Sequence, residues 1–251
     1  MDHQTITEKN RPLVKKRVGS LSMREKISRY FQLYRLSWAV TLKNTWEYLK
    51  VVQRFYSNRT FARVDSALLL SYLWTNPFAI SKEFLASQGA EDVYQYGETP
   101  LTTFAEIAAK AGIAKHDTYL ELGAGRGRTC FWASIFLGCS VKGMELIPAF
   151  VSKAEKIVRR YNLPNIQFAQ ENFLTASFSG ASVIYLYGST LPDEEIAILA
   201  QKCAALPTGT KIITVSYSLN EYLPSNSFEI MHCFPAEYTW GSADVYVQYV
   251  R

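Results

Sequence analysis

The chain of 251 residues lacks the residue patterns of several common enzyme classes. Its three histidines and four cysteines are scattered, and no two cysteines form a C-x-x-C pair. This pattern gives no ligand set for zinc and too few histidines for a hydrolytic triad, so no metal is expected. The G-x-S-x-G motif of a hydrolase nucleophile is missing as well. These absences argue against hydrolysis that depends on a metal or on an activated serine.

Two further absences concern the location of the protein. The sequence contains no apolar run of about 18 residues, the minimum for a membrane-spanning helix. The first 20 residues carry five Lys or Arg with no apolar stretch behind them, which is unlike a secretion signal. Unpaired cysteines fit a reducing compartment. We therefore expect a cytoplasmic protein, with association at a membrane surface left open.

Positive charge is concentrated at the start of the chain. Residues 1–63 contain 14 Lys or Arg and 4 Asp or Glu, a net charge of +10, whereas the remaining residues carry −5. Residues 1–20 are predicted to form a disordered basic tail. Residues 21–95 are predicted to form a helical N-terminal segment. Within it, apolar residues recur in steps of three and four from Ser22 to Tyr56, which predicts basic amphipathic helices.

The apolar face of these helices includes Trp38, Trp46, Leu49 and Phe55. We expect it to pack on the following domain, with contact to nucleic acid or to an anionic membrane surface as alternatives. The stretch from Ala67 to Ile80 is strongly apolar. It is predicted to be a buried helix, because it is too short to span a bilayer.

Residues 96–251 show the alternation of helices and strands that is typical of an α/β domain. A parallel sheet covered by helices on both faces is predicted, with an antiparallel edge formed by the last two strands. The predicted helices are Leu101–Gly112, Arg126–Leu137, Ala149–Tyr161 and Pro192–Ala205. The predicted strands are Thr118–Leu122, Val141–Glu145, Asn165–Gln170, Ala181–Tyr187, Lys211–Tyr217, Phe228–Phe234 and Val245–Val250. The fold class is therefore a Rossmann-like, seven-stranded sheet.

A glycine-rich turn follows the first of these strands. The strand ends in Glu121, and Gly123, Gly125 and Gly127 follow at every second position. Glycines let bare backbone approach a ligand. Arg128 stands where a dinucleotide-binding motif needs a third, later glycine, so that cofactor class is disfavoured. An acid beside the turn favours S-adenosylmethionine (SAM), which carries a sulfonium and no phosphate; a turn without a ligand is the alternative.

Residues after the next two strands are placed to contact the adenosyl group. Glu145 ends the second strand, where a carboxylate can accept hydrogen bonds from both ribose hydroxyls. Asn172 and Phe173 follow the third strand, and they offer an amide to the edge of the adenine and a ring to its face. For Phe173, an ordinary core position is the alternative.

These motifs together resemble the class I, seven-stranded SAM-dependent methyltransferases. The segment Tyr96-Gly97-Glu98-Thr99 resembles the Y-G-E-T motif of the non-SET histone lysine methyltransferases, which implies that Glu98 and Thr99 close over the methionine end of SAM. Residues 183–188 look similar to the small lysine methyltransferases that modify ATP synthase c-subunit or the adenine nucleotide carrier. In the histone enzymes an asparagine stands at the position of Tyr187 and an acid at that of Asn172. Their contacts on the catalytic face therefore do not transfer to this chain.

The resemblance implies a methyltransferase that transfers the methyl group of SAM to the amine of a protein lysine and leaves S-adenosylhomocysteine. Tyr187 and Trp240 are the candidate catalytic residues, since aromatic rings at the ends of the strands can desolvate the amine. Methylation of RNA or of a small molecule is the second hypothesis. A SAM-fold module that binds a partner without turnover is the third.

Overall fold

The structure, a computed structural model, describes residues 42–90 and 92–251. The predicted tail and residues 21–41 of the predicted helical segment lie outside the described residues. Seven strands form one sheet in the order β3-β2-β1-β4-β5-β7-β6. Strand β7 pairs antiparallel with β5 and β6, and the other pairs are parallel. The predicted fold class, a Rossmann-like α/β sheet with an antiparallel edge, is confirmed.

The strands have the following bounds: β1 Thr118–Leu122, β2 Ser140–Glu145, β3 Ile166–Gln170, β4 Val183–Leu186, β5 Lys211–Val215, β6 Phe228–Tyr238 and β7 Gly241–Val250. The helices are α1 (residues 42–55), α2 Arg59–Ser71, α3 Pro77–Ser87, α4 Leu101–Lys110, α5 Arg128–Trp132, α6 Pro148–Tyr161 and α7 Asp193–Ala204. Helix α5 continues into a π-helical turn, Ala133–Leu137. The last two strands are longer than predicted and form a hairpin, which places Trp240 in its turn.

Helices cover the sheet on two sides, each with its own buried cluster. One cluster joins side chains of α1, α2, α4, α5 and α6 to the sheet. The other joins α7 and the loop around Phe178 to the opposite face. Residues 43–251 form one compact unit. The packing is thus continuous across residue 96, where the sequence predicted a boundary between the helical segment and the catalytic domain.

Helix α1 differs from the amphipathic helix that was predicted. Its buried side chains are Val51 and Phe55, while Trp46 and Leu49, which were predicted to share the apolar face, are mostly exposed. The helix is held at its other end by Glu47, whose carboxylate accepts hydrogen bonds from the backbone N–H and the hydroxyl of Thr102 at 3.1 and 2.7 Å. A polar side chain therefore occupies part of the contact face.

The prediction of one buried helix over residues 67–80 is wrong. Helix α2 ends at Ser71, and α3 begins at Pro77 after the side chain of Asn76 has capped it through the N–H of Phe78. A proline disfavours helical backbone in the residue before it, which explains the break. The intervening Leu73 and Trp74 are exposed. No helix of the described part of the chain is both long and apolar enough to cross a bilayer.

Candidate active site

The glycine turn links β1 to α5 at the point of the sheet where the strand order reverses. Gly123 and Gly127 have φ angles of +73° and +80°, in the region that favours glycine. A Cβ atom on Gly127 would lie 2.4 Å from the ring of Phe168, so no other residue fits there. Gly123 is different, because its nearest neighbour would be 3.8 Å away. The backbone at Gly123 is therefore open to a ligand.

A cleft of about 640 Å³ lies beside this turn, at the carboxyl ends of the strands. This volume is in the usual range for sites that bind small molecules. Five of the predicted site residues line it: Gly123, Glu145, Asn172, Phe173 and Tyr187. Helix α3 forms one wall through Phe84 and Leu85, although the sequence analysis assigned this helix no part in the site.

The carboxylate of Glu145 is buried at the edge of the cleft. One of its oxygens accepts the N–H of Gly125 at 2.7 Å, and the other accepts the N–H of Ile147 at 2.8 Å. Burial raises the pKa of this carboxyl against the effect of these backbone donors, which lower it. The two bonds fix the carboxylate, and each oxygen keeps capacity for a second donor, such as a ribose hydroxyl.

Asn172 and Phe173 line the cleft on the loop after β3. The side-chain oxygen of Asn172 accepts the N–H of Leu174 at 2.9 Å. Lys202 holds the same loop, since its ammonium donates to the carbonyl oxygens of Phe173 and Ala176 at 2.5 and 2.7 Å. The loop is therefore anchored from α7, which keeps the Phe173 ring beside Gly123.

Glu98, Thr99 and Glu121 do not line the main cleft; they surround a cavity of about 30 Å³ next to it. The guanidinium of Arg126 donates two hydrogen bonds of 2.5 Å to the carboxylate of Glu98, which also accepts one from the hydroxyl of Tyr96. Burial raises the pKa of Glu98, but Arg126 outweighs that effect and the net pKa is lowered. The carboxylate is thus ionised and paired within the protein.

Glu121 is buried in a polar cluster beneath the glycine turn. Its carboxylate accepts hydrogen bonds from the hydroxyls of Thr129 and Tyr119 and from the thiol of Cys130. Burial raises the pKa of Glu121 to about 7, although each of these donors lowers it. The side chain therefore ties β1 to α5 and titrates near neutral pH.

A second ion pair fixes the glycine turn from α2, and the sequence analysis missed it. Asp65 accepts two hydrogen bonds of 2.7 Å from Arg128 and one of 2.9 Å from the hydroxyl of Tyr56. The Asp65 side chain is 0% exposed. An acid within the apolar face of a helix was the signal that could have revealed it, since buried charges are paired. Both arginines of the turn, Arg126 and Arg128, are thus held by carboxylates from earlier in the chain.

Three aromatic rings form a stack at the end of the cleft that Tyr187 lines. The rings of Tyr187 and Tyr238 lie 5.5 Å apart, and those of Tyr238 and Trp240 lie 5.4 Å apart. The indole N–H of Trp240 donates to the Tyr187 hydroxyl at 2.6 Å. Tyr187 lines both the cleft and the small cavity. The structure therefore brings Tyr187 and Trp240 into contact with each other at this site.

The charge of the cleft is one-sided. Among its described lining residues are three acids, Asp92, Glu145 and Glu195, and no Lys, Arg or His. A cleft of this sign favours cationic ligands and disfavours phosphate groups. Within residues 42–90 and 92–251, no group of three His, Cys, Asp or Glu side chains is placed to hold a metal ion.

Comparison with solved structures identifies the fold. TrmN from Thermus thermophilus matches with a TM-score of 0.53 and 16% identity, over 62% of this chain and 50% of its own length, so this chain spans about half of it. Magnesium protoporphyrin IX methyltransferase from Synechocystis PCC 6803, solved with bound SAM, matches with a TM-score of 0.51 and 11% identity over 71% of this chain and 99% of that one. A mutant of MtNAS gives 0.50 and 14% over 81% and 76%.

At these identities the similarity shows the fold alone, which is the Rossmann-like sheet of the class I methyltransferases. No protein-family model matches the sequence, and no curated protein matches it.

Proposed function

We propose that the protein is a SAM-dependent methyltransferase and that its acceptor is the amine of a protein lysine. The observation that carries the proposal is the acidic cleft: an open glycine turn and a fixed carboxylate at one side, an aromatic stack at the other, and no basic described residue between them. SAM and lysine are both cations, so the charge suits the donor and the acceptor.

The residues of the cleft fit SAM. The open side of Gly123 admits a ligand to the backbone, and the free lone pairs of Glu145 suit the two ribose hydroxyls. The Phe173 ring beside Gly123 offers a surface for a purine. SAM, when bound, would supply an electrophilic methyl group.

The side chains of the protein would then act on the acceptor. Lysine enters as an ammonium, and the carboxylates of Asp92 and Glu195 attract it to the cleft. Beside the aromatic stack it loses water contacts, which lowers its pKa and eases the release of a proton to solvent. The neutral nitrogen forms a bond to the methyl carbon as the carbon–sulfur bond breaks, and positioning in line supplies the rate. Tyr187, held by Trp240 and Tyr238, would set that line.

Equilibrium binding of SAM to the purified full chain tests the cofactor. We expect Glu145→Gln to weaken binding by about tenfold or more, since a hydrogen bond to a charged group contributes about 1.5–3 kcal/mol. Glu171→Gln is the matched control, because Glu171 ends the neighbouring strand region but pairs with Lys142 outside the cleft. Equal affinities in wild type and Glu145→Gln, or no binding at all, would contradict the proposal.

The acceptor is tested by incubating cell lysate with the enzyme and deuterated SAM, followed by mass spectrometry of the labelled peptides. We expect label on lysine side chains and none with Glu145→Gln. Tyr187→Phe keeps the ring but removes the hydroxyl that Trp240 holds, so it should lower the methylation rate and leave SAM affinity within about threefold. Label confined to other acceptors would refute the lysine assignment while leaving the methyltransferase intact.

RNA remains the second candidate acceptor because residues 1–63 carry a net charge of +10. Binding through phosphates weakens steeply as salt rises, because counterions are released. RNA binding and RNA methylation that fall steeply between about 50 and 200 mM salt would favour this acceptor. Label on lysine with a shallow salt dependence would exclude it.

A further inference from the structure

The bend between α2 and α3, residues 70–78, carries an exposed apolar surface outside the cleft. We call it the elbow. Trp74 is 91% exposed, and Leu70, Leu73 and Phe78 are 58–65% exposed. Scattered apolar side chains on a surface need no explanation, but four within nine residues form a patch, which marks an interaction site. The patch plays no part in the proposed methyl transfer.

Basic side chains border the elbow. A groove of about 620 Å³ between α2 and α6 is lined by Leu70 of the elbow together with Arg63, Arg160 and Tyr161. Both guanidinium groups lie over the ring of Tyr161, at 5.6 and 5.7 Å from its centroid. The ring orients the two arginines beside an apolar edge, which is an arrangement suited to a phosphate group.

Lysines of α6 extend this basic border to the other side of the elbow. Lys153 donates to the carbonyl of Ser71 at 2.5 Å and to the hydroxyl of Thr75 at 2.9 Å. Lys156 lies close enough to lower the pKa of Lys153, after the larger effect of its burial. The acid on this helix, Glu155, is paired with Arg159. The border is therefore positive, with its one helical acid neutralised.

We propose that the elbow and its basic border bind an anionic lipid surface. Leucine and tryptophan side chains insert at the boundary between headgroups and acyl chains, and arginines and lysines beside them pair with lipid phosphates. The aliphatic side chains Leu70 and Leu73 decide against nucleic acid, which offers phosphates but no hydrocarbon. The positive border decides for anionic lipid over neutral lipid. Because α3 follows the elbow and forms a wall of the cleft, binding would hold the cleft near the bilayer.

Hydrogen exchange of the full chain, with and without lipid vesicles, locates the contact. We expect vesicles of phosphatidylcholine with phosphatidylglycerol to slow exchange in peptides covering residues 66–80, and pure phosphatidylcholine or inorganic phosphate to leave it unchanged. Equal protection by neutral vesicles would overturn the role of charge. Protection of these peptides by RNA instead of vesicles, or strong protection before any vesicle is added, would overturn the lipid assignment.

Co-sedimentation with the same vesicles tests the side chains. Leu73→Ser with Trp74→Ser removes two exposed side chains, so folding should be kept while binding weakens by about tenfold or more. Arg63→Glu with Arg160→Glu should do the same at low salt. Ile198→Ser and Lys115→Glu, on exposed positions elsewhere, are the matched controls and should bind as wild type. Unchanged binding of both double variants would overturn the proposal, whatever the rest of the chain contributes.

Discussion

The ion pair between Asp65 and Arg128 gives the sharpest prediction on stability. Asp65 is 0% exposed at its side chain and Arg128 is 18% exposed, and two hydrogen bonds of 2.7 Å join them. The substitution Asp65→Asn keeps the shape of the side chain but removes the negative charge, so a nearly buried guanidinium loses its partner. Breaking a buried pair in this way costs about 3–5 kcal/mol of unfolding free energy.

The measurement is urea unfolding of the wild type and the variant, supported by thermal melting. For a chain of this length the expected cost corresponds to a fall in Tm of roughly 6–20 °C. The matched control is Glu106→Gln, which breaks the exposed pair with Arg54 at 3.6 Å, where the side chains are 63% and 48% exposed. Such a surface pair contributes about 0–1 kcal/mol. A loss below about 1 kcal/mol in Asp65→Asn as well would refute the argument.

A double variant separates the pair from its surroundings. Asp65→Leu with Arg128→Met replaces both charges by apolar groups, and it should recover much of the stability lost in Asp65→Asn because no buried charge remains unpaired. SAM affinity should stay weakened in the double variant, since Arg128 directly follows the glycine turn that forms the site. Recovery of stability together with full SAM affinity would show that the pair does not position the turn.

Three further outcomes follow from the structure. Gly97→Ala would place a Cβ atom 2.8 Å from the Tyr187 ring; we expect a loss of about 1–3 kcal/mol and of methylation, with stability but not activity restored by adding Tyr187→Leu. Since burial raises the pKa of Glu121 from 4.5 to about 7, its stabilising contribution is full below pH 4.5 and lost as pH rises through 7, by about 3 kcal/mol. Urea unfolding of Glu121→Gln should show a correspondingly weaker pH dependence than that of the wild type, and parallel curves would contradict this. Finally, a chain of residues 43–251 should stay folded by circular dichroism, whereas a chain of residues 61–251 should aggregate; a folded 61–251 chain would disprove the role of α1.

The sheet was predictable because each of its signals is local. An apolar run that ends in an acid and a glycine turn, as in Thr118–Leu122, marks a buried parallel strand without knowledge of its neighbours. The bounds of β1 agree with the prediction, and those of β2 and β3 differ by one residue. The hairpin of β6 and β7 was underestimated because its exposed residues 229–233 alternate with no buried partner. Its pairing comes from β7 and not from its own pattern.

The cleft was predictable only in part, because its walls come from distant segments. Glu145 and Phe173 follow strands and line the cleft, whereas Glu98 is drawn to Arg126 and lines the smaller cavity. Local sequence places a residue at the end of a strand, but it does not say which charge will pair with it. The acids Asp92 and Glu195, which decide the sign of the cleft, lie in segments without any motif.

The same long-range pairing changes the view of the N-terminal helices. Phe55 of α1 lies 5.6 Å from the ring of Trp132 in α5, and Asp65 of α2 holds Arg128 at the start of that helix. A loop rich in glycine has little rigidity of its own, since glycine restricts the backbone least. The geometry of the turn must therefore be imposed from outside, and the carboxylates of Asp65 and Glu98 do this through its two arginines. Helices that read as an appendage in the sequence are for this reason part of the cofactor site.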